Sequence, residues 1–123
     1  MNKFHAVRWL PLVAVLAAGC GSGSLPPAAD PDLARQTLTT ALDAWKAGET
    51  AESLAARQPP LFFNDLKADH ALLAYTIADG HEVYGQSVRL SATLTLKLPG
   101  GATKERKVVY LIDTAPALVV VQG

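Results

Sequence analysis

The side chains in this sequence with the clearest potential for chemistry are acids and histidines in the second half of the chain. They flank the apolar stretch 70–78 on both sides and comprise Asp65, Asp69, His70, Asp79, His81 and Glu82. Carboxylates and imidazoles are common proton-transfer groups and metal ligands. A strand of this length measures about 30 Å, which predicts that the two groups lie at its opposite ends. We therefore interpret these residues as solvated loop residues.

A second interpretation places Asp65, His70 and Tyr75 in one ligand pocket between a helix and a sheet. It requires a cavity with converging polar groups. Aromatic residues that would line such a pocket, or would simply form the core, are Trp45, Phe62, Phe63, Tyr75 and Tyr110. Buried aromatic residues are more often core residues than ligand contacts, and we expect this of Trp45 above all.

The signatures of the common enzyme classes are missing. No glycine-rich loop joins a predicted strand to a helix, since Gly100 and Gly101 fall in a predicted hairpin turn. No Gly-x-Ser-x-Gly motif is present. Eleven basic and eleven acidic residues give a formal net charge of zero, which does not favour binding to a phosphate backbone. The sequence therefore predicts no catalytic centre, no metal site, no cofactor and no nucleic-acid partner.

The N-terminal residues 1–19 have the pattern of an export signal. Lys3 and Arg8 are the charged residues ahead of an apolar run at 9–18, and small residues follow. The run is shorter than the roughly 20 residues that a membrane-spanning helix needs. We therefore expect a cleaved signal sequence.

The residues around the only cysteine, 16–20 (LAAGC), resemble the lipobox of bacterial lipoproteins. The usual pattern has leucine three residues before the cysteine, where this chain has Ala17. The resemblance implies that residues 1–19 are removed and that Cys20 carries lipid, which anchors the chain to the bacterial cell envelope, facing the periplasm. Gly21 stands where enteric lipoproteins retained at the inner membrane have Asp, which favours the outer membrane. The alternatives are an ordinary secretory signal with a free thiol and a cytoplasmic protein with an apolar N-terminus.

The rest of the chain divides into a short tether and one domain. Residues 20–29 comprise the lipidated cysteine and a flexible Gly-, Ser- and Pro-rich tether. Residues 30–123 form the domain. Asp30 as N-cap, apolar residues at spacings of three and four, and Gly48 as the stop predict a helix over about 31–47.

The domain continues mainly as strands. A short helical turn is expected around 51–56, and strands are expected at 61–63, 70–78, 87–98, 103–113 and 118–121. A turn lies within 79–86, where both Asp79-Gly80 and Tyr84-Gly85 are suitable. Short connections between successive strands favour antiparallel pairing.

The clearest strand, 87–98, alternates strictly between apolar and polar residues. Its polar face comprises Arg89, Ser91, Thr93, Thr95 and Lys97. This face is either a flat, hydroxyl-rich binding surface or simply solvated. The charged run at 104–107 (KERK) is interpreted as protection of a strand edge, with a patch for anionic lipid headgroups as the alternative.

Together these elements predict an α+β fold, in which one long N-terminal helix packs on a curved antiparallel sheet of four to five strands. The pattern resembles small, uncharacterised bacterial lipoproteins with a cystatin-like or nuclear-transport-factor-like domain. The residues that carry this resemblance are 44–48 (AWKAG), 53–55 (SLA), 87–90 (SVRL) and 108–111 (VVYL).

The resulting functional prediction is a membrane-anchored envelope lipoprotein with a non-enzymatic interaction or structural role. Its partner would be an envelope protein, and changes at Thr95 or Lys97 would weaken the complex without unfolding the domain. The alternative is a small-ligand-binding protein or minor enzyme with a pocket between helix and sheet.

Overall fold

Residues 29–66 and 70–123 are described by the computed structural model of this chain. They form an α+β fold in which two helices pack on a curled sheet of six strands. The predicted export signal, Cys20 and most of the tether precede these ranges, and Asp69 falls between them. No helix within the described ranges is long and apolar enough to cross a membrane.

The first helix, α1, spans Pro31–Lys46, close to the predicted 31–47. Asp30 caps its first turn, because its Oδ1 accepts a 3.1 Å hydrogen bond from the Leu33 amide. Gly48 follows the helix with a positive φ of 84°, which glycine adopts without a steric penalty. Asp30 and Gly48, the residues that predicted the ends of this helix, thus lie at its N-terminal cap and just after its C-terminal end.

The second helix and the strands also lie close to their predicted positions. The elements are α2 (Ala51–Ala55), β1 (Leu61–Phe63), β2 (Ala71–Ile77), β3 (Glu82–Tyr84), β4 (Ser87–Lys97), β5 (Thr103–Asp113) and β6 (Leu118–Gln122). Strand β3 falls in the stretch that was predicted as a turn. The chain bends at Asp79 and turns tightly at Gly85-Gln86, so both of the turn positions left open by the sequence are used.

The sheet is mixed and has six strands, so the prediction of four to five antiparallel strands omits β3 and is wrong in direction for one pair. The strand order is β1-β6-β5-β4-β2, with β3 beside β4. β1 and β6 run parallel, with Phe63 beside Val120, and the other pairs are antiparallel. The prediction assumed that successive strands pair through short turns. β1 instead pairs with β6, the last strand, and the two strands are too far apart in sequence for a short turn to determine their pairing.

The core lies between α1 and the inner face of the sheet, the face that α1 covers. Leu38 and Leu42 of α1 and Tyr110 of β5 are among its fully buried side chains. Phe63 makes edge-to-face contacts with Trp45 and Tyr110, with ring centroids 6.0 and 5.9 Å apart. Trp45, Phe63 and Tyr110 are therefore core residues, as the more common role of buried aromatics suggests.

Helix α1 also holds both ends of the strand β2 through side-chain hydrogen bonds. Nε1 of Trp45 donates to the carbonyl oxygen of His70 at 2.8 Å. Nη1 of Arg35 donates to the carbonyl oxygen of Ala78, just after the strand, at 2.9 Å. These bonds fix β2 against the helix at residues on either side of the strand.

Candidate functional site

The side of the sheet that faces away from α1, which we call the outer face, contains the polar row predicted on β4. Its members are Arg89, Ser91, Thr93, Thr95 and Lys97, all of them exposed or half-buried. They alternate with five buried apolar residues of the same strand, because successive side chains of a strand point to opposite faces. The row therefore lies on one side of the sheet and is accessible to solvent.

Neighbouring strands extend this row into a shallow groove. Thr93 of β4 lies between Thr76 of β2 and Lys107 of β5. Ser91 lies beside Val109 of β5. These residues line a groove of about 430 Å³ on the outer face. Hydroxyl groups therefore occupy the middle of this groove, and its β5 side combines the apolar Val109 with the charged Lys107.

The apolar part of the outer face continues to the opposite edge of the sheet. The side chains of Val109 and Phe62 are 37% and 46% exposed, respectively. The register places three half-buried residues of β5 and β6 on the same side, and they are Leu111, Val119 and Val121. Phe62 is thus a surface residue and not part of the core. Leu61 and Phe63, on either side of Phe62, are both buried. The period of two in a strand is the sequence signal that could have placed Phe62 on the opposite, exposed face.

The guanidinium group of Arg89 lies at one end of this face. Its Cζ lies 4.3 Å from the centroid of the Tyr84 ring, a cation–π contact. Its Nη1 is 3.9 Å from a carboxylate oxygen of Glu82, and its Nε is buried with no hydrogen-bond partner among the residues that the structure describes. Because this ion pair is long and exposed, we assign it little stabilising energy.

The outer face carries charges of both signs. Its charged residues are Glu82, Arg89, Lys97, Glu105, Lys107 and Asp113, three acidic and three basic. The charged run 104–107 is split, since alternate residues of β5 point to opposite faces. A patch for anionic headgroups would need an excess of positive charge on one surface. Because the charges of the outer face balance, this surface favours a partner with mixed polarity.

The charged run 104–107 lies instead where β5 has an open edge. β6 pairs with β5 only from Tyr110 to Asp113. Within the part of the chain that the structure describes, residues 104–107 have a strand partner on the β4 side alone. Charged side chains on such an edge disfavour pairing with another chain.

Asp65, a predicted pocket residue, is buried in a hydrogen-bonded cluster, so its interpretation as a solvated loop residue is wrong. Its carboxylate accepts hydrogen bonds from the Tyr110 hydroxyl at 2.7 Å and from Nε2 of Gln122 at 2.9 Å. Burial first, and then this hydrogen bond, raise the pKa of the Tyr110 hydroxyl well above its usual range. Asn64 and Arg106 line a cleft of about 360 Å³ beside the carboxylate. The cluster ties the loop after β1 to strands β5 and β6.

His70 and Tyr75, the other two residues of that predicted pocket, have different surroundings. His70 lines a cleft of about 380 Å³ between the C-terminal end of α1 and the start of β2. The Tyr75 hydroxyl donates a 2.6 Å hydrogen bond to Oδ1 of Asp43 on α1. Asp65 and His70 thus line different clefts, and Tyr75 is bonded to the helix. In the described ranges, no group of three or more potential metal-ligating side chains is present.

The Tyr75–Asp43 contact predicts how stability depends on alkaline pH. Partial burial first, and then the hydrogen bond to Asp43, raise the pKa of Tyr75 to about 12 from its usual 10. The protonated hydroxyl is therefore favoured by folding. Its stabilising contribution is complete below pH 10 and is lost as the pH rises towards 12.

We expect the free energy of unfolding of Tyr75→Phe to fall less between pH 9 and pH 11.5 than that of the unaltered chain. Urea titrations followed by circular dichroism at both pH values measure this difference. Tyr84→Phe is the matched control, because Tyr84 is 48% exposed and a phenylalanine ring retains its contact with Arg89. Equal losses in the unaltered chain and in Tyr75→Phe would contradict the assignment.

Comparison with known proteins identifies no relative of this chain. No protein-family model, no curated protein and no solved structure matches this chain. The resemblance to cystatin-like or nuclear-transport-factor-like lipoproteins therefore remains a prediction.

Proposed function

We propose that this protein is a lipid-anchored module of the bacterial cell envelope that binds an envelope protein through the outer face of its sheet. The observation that carries this proposal is the apolar part of the outer face, which extends from Phe62 through Val119, Val121 and Leu111 to Val109, where it meets Ser91. Protein interfaces typically combine a central apolar area with a polar rim. The role is that of a binding protein and not of an enzyme.

The lipid anchor is inferred from the N-terminal sequence. The described domain begins at Ala29, nine residues after Cys20. A segment of that length spans at most about 30 Å, so lipid on Cys20 would keep the domain close to the membrane. Replacing Cys20 by serine is expected to move the protein from the membrane fraction to the soluble fraction. Retention of Cys20→Ser in the membrane fraction would contradict the anchor without affecting the proposed interface.

A small-ligand-binding or enzymatic role has less support from the geometry. The space between α1 and the inner face of the sheet is occupied by fully buried side chains, including Leu38, Leu94 and Tyr110. The hydroxyl groups of Tyr75 and Tyr110 are both bonded to carboxylates of the chain. These groups support the fold directly, which leaves the outer face as the better binding surface.

The proposed interface is tested by cross-linking in intact cells, followed by capture through a C-terminal tag and mass spectrometry. We expect Val109→Glu to lower recovery of the partner about tenfold, since a charged group replaces an apolar side chain and must lose its hydration when the interface forms. Thr95→Lys is expected to have a smaller effect in the same direction, because Thr95 lies at one end of the hydroxyl row.

Val83→Glu is the matched control for Val109→Glu. Val83 is 52% exposed, and it pairs with the buried Val88, so it lies on the opposite side of the sheet from Arg89. We expect this variant to recover the partner at the level of the unaltered chain. Circular dichroism must show that all the variants are folded. Unchanged recovery with folded Val109→Glu would rule out the outer face as the interface.

A further inference from the structure

Within the described ranges the sheet has two long open edges, and they differ in character. One is the half of β5 that extends beyond β6 and carries the charged run 104–107. The other is β2, which pairs with β4 and has no second strand partner within the described ranges. An open edge presents a row of unpaired backbone N–H and C=O groups. Charged side chains protect the first edge, so the second requires a separate explanation.

Strand β2 has no charged residue and no proline in Ala71–Ile77 (ALLAYTI). Charges and prolines are two of the usual means by which an open edge avoids pairing with another chain, and a β-bulge is a third. A β-bulge lies at Leu73, where the register with β4 shifts between Leu72 and Ala74. The bulge places an apolar side chain that is 44% exposed at the middle of the edge. Strand β2 therefore has a bulge but no charge to disfavour pairing, and contact with another apolar strand would cover its exposed leucine.

The same strand is held rigidly from the helix side. Trp45 binds the carbonyl group just before β2, and Arg35 binds the carbonyl group just after it. The Tyr75 hydroxyl, near the middle of the strand, is bonded to Asp43 of α1. A strand that is already fixed in an extended conformation loses little conformational entropy when a further strand pairs with it.

We propose that two copies of this chain associate through β2, the two strands pairing antiparallel about a two-fold axis to form one continuous sheet. Antiparallel pairing of identical strands is self-complementary, since each backbone donor on one strand has an equivalent acceptor on the other. Because β2 carries no charge, its pairing with a second copy places no like charges opposite each other. Leu73 of each copy would be covered by the other.

Site-specific photo-cross-linking of the full chain tests this contact. Benzoylphenylalanine replaces Leu73 in cells that express two copies of the chain with different C-terminal tags. The matched control places the same residue at Leu33, which is 39% exposed on α1. We expect a product that contains both tags from position 73, at about ten times the yield from position 33. Monomer alone, or adducts with other proteins and no two-tag product, would overturn the proposal.

A charge on the strand provides the second test. Thr76→Lys, combined with the cross-linker at position 73, is expected to reduce the two-tag product about tenfold. Val83→Lys is the control, because it places the same charge on β3. Thr76 is exposed, and circular dichroism reports whether the variant is folded. Ala71→Lys, also at an exposed position, replaces it if Thr76→Lys does not fold. An undiminished two-tag product from a folded lysine variant would overturn the proposal.

Discussion

Replacement of Trp45 by alanine is expected to lower the free energy of unfolding by about 4 kcal/mol. The indole ring is 4% exposed and packs edge-to-face against Phe63. Its Nε1 also donates the hydrogen bond to the His70 carbonyl that ties α1 to the start of β2. Alanine removes both contacts and leaves a cavity at the C-terminal end of the helix. Urea denaturation followed by far-ultraviolet circular dichroism measures the change.

Two further substitutions separate the contributions of packing and hydrogen bonding. Trp45→Phe retains an aromatic ring beside Phe63 but has no N–H donor, so we expect a loss of about 2 kcal/mol. Leu33→Ala is the matched surface control on the same helix, where the side chain is 39% exposed. Its expected effect is below about 1 kcal/mol. A Trp45→Ala variant no less stable than Leu33→Ala would contradict the role assigned to Trp45.

Replacement of Asp65 by alanine is expected to destabilise the fold by about 3 kcal/mol. The carboxylate is 7% exposed and accepts hydrogen bonds from Tyr110 and Gln122. Its removal leaves the fully buried Tyr110 hydroxyl without this acceptor. A buried polar group that loses its partner costs the full desolvation energy of that group. Asp79→Ala is the control, because Asp79 is an exposed acid of a loop.

A double-mutant cycle identifies the Asp65–Tyr110 hydrogen bond as the cause. Tyr110→Phe alone removes the hydroxyl donor and leaves the carboxylate bonded to Gln122. The combined variant of Asp65→Ala and Tyr110→Phe leaves no tyrosine hydroxyl to desolvate, so its loss should be smaller than the sum of the two single losses by about 1–2 kcal/mol. Strict additivity of the two losses would show that the residues do not act together.

These two predictions also bear on function. Trp45 and Asp65 line clefts in the structure, and residues that line clefts are natural candidates for ligand binding. Their hydrogen bonds, however, link elements of the fold that are distant in sequence. Large losses of stability in both variants would agree with a structural role and would direct functional experiments to the outer face and to β2.

Local sequence patterns were sufficient to predict the helix and most of the strands. Asp30 and Gly48 delimit α1, because capping and helix termination depend on a few neighbouring residues. The alternation in β4 predicted which of its residues are buried, since a strand has a period of two. The polar row of the candidate interface was therefore identifiable from the sequence alone.

The partners of the strands and the surroundings of the polar residues were decided only by the tertiary structure. The Tyr110 hydroxyl and the Asp65 carboxylate are 45 residues apart in the chain, and no local pattern specifies such a pair. The parallel pairing of β1 with β6 likewise depends on which strands best fill the space beside α1. Sequence periodicity specifies the face on which a side chain lies. The packing of the whole domain determines what that face contacts.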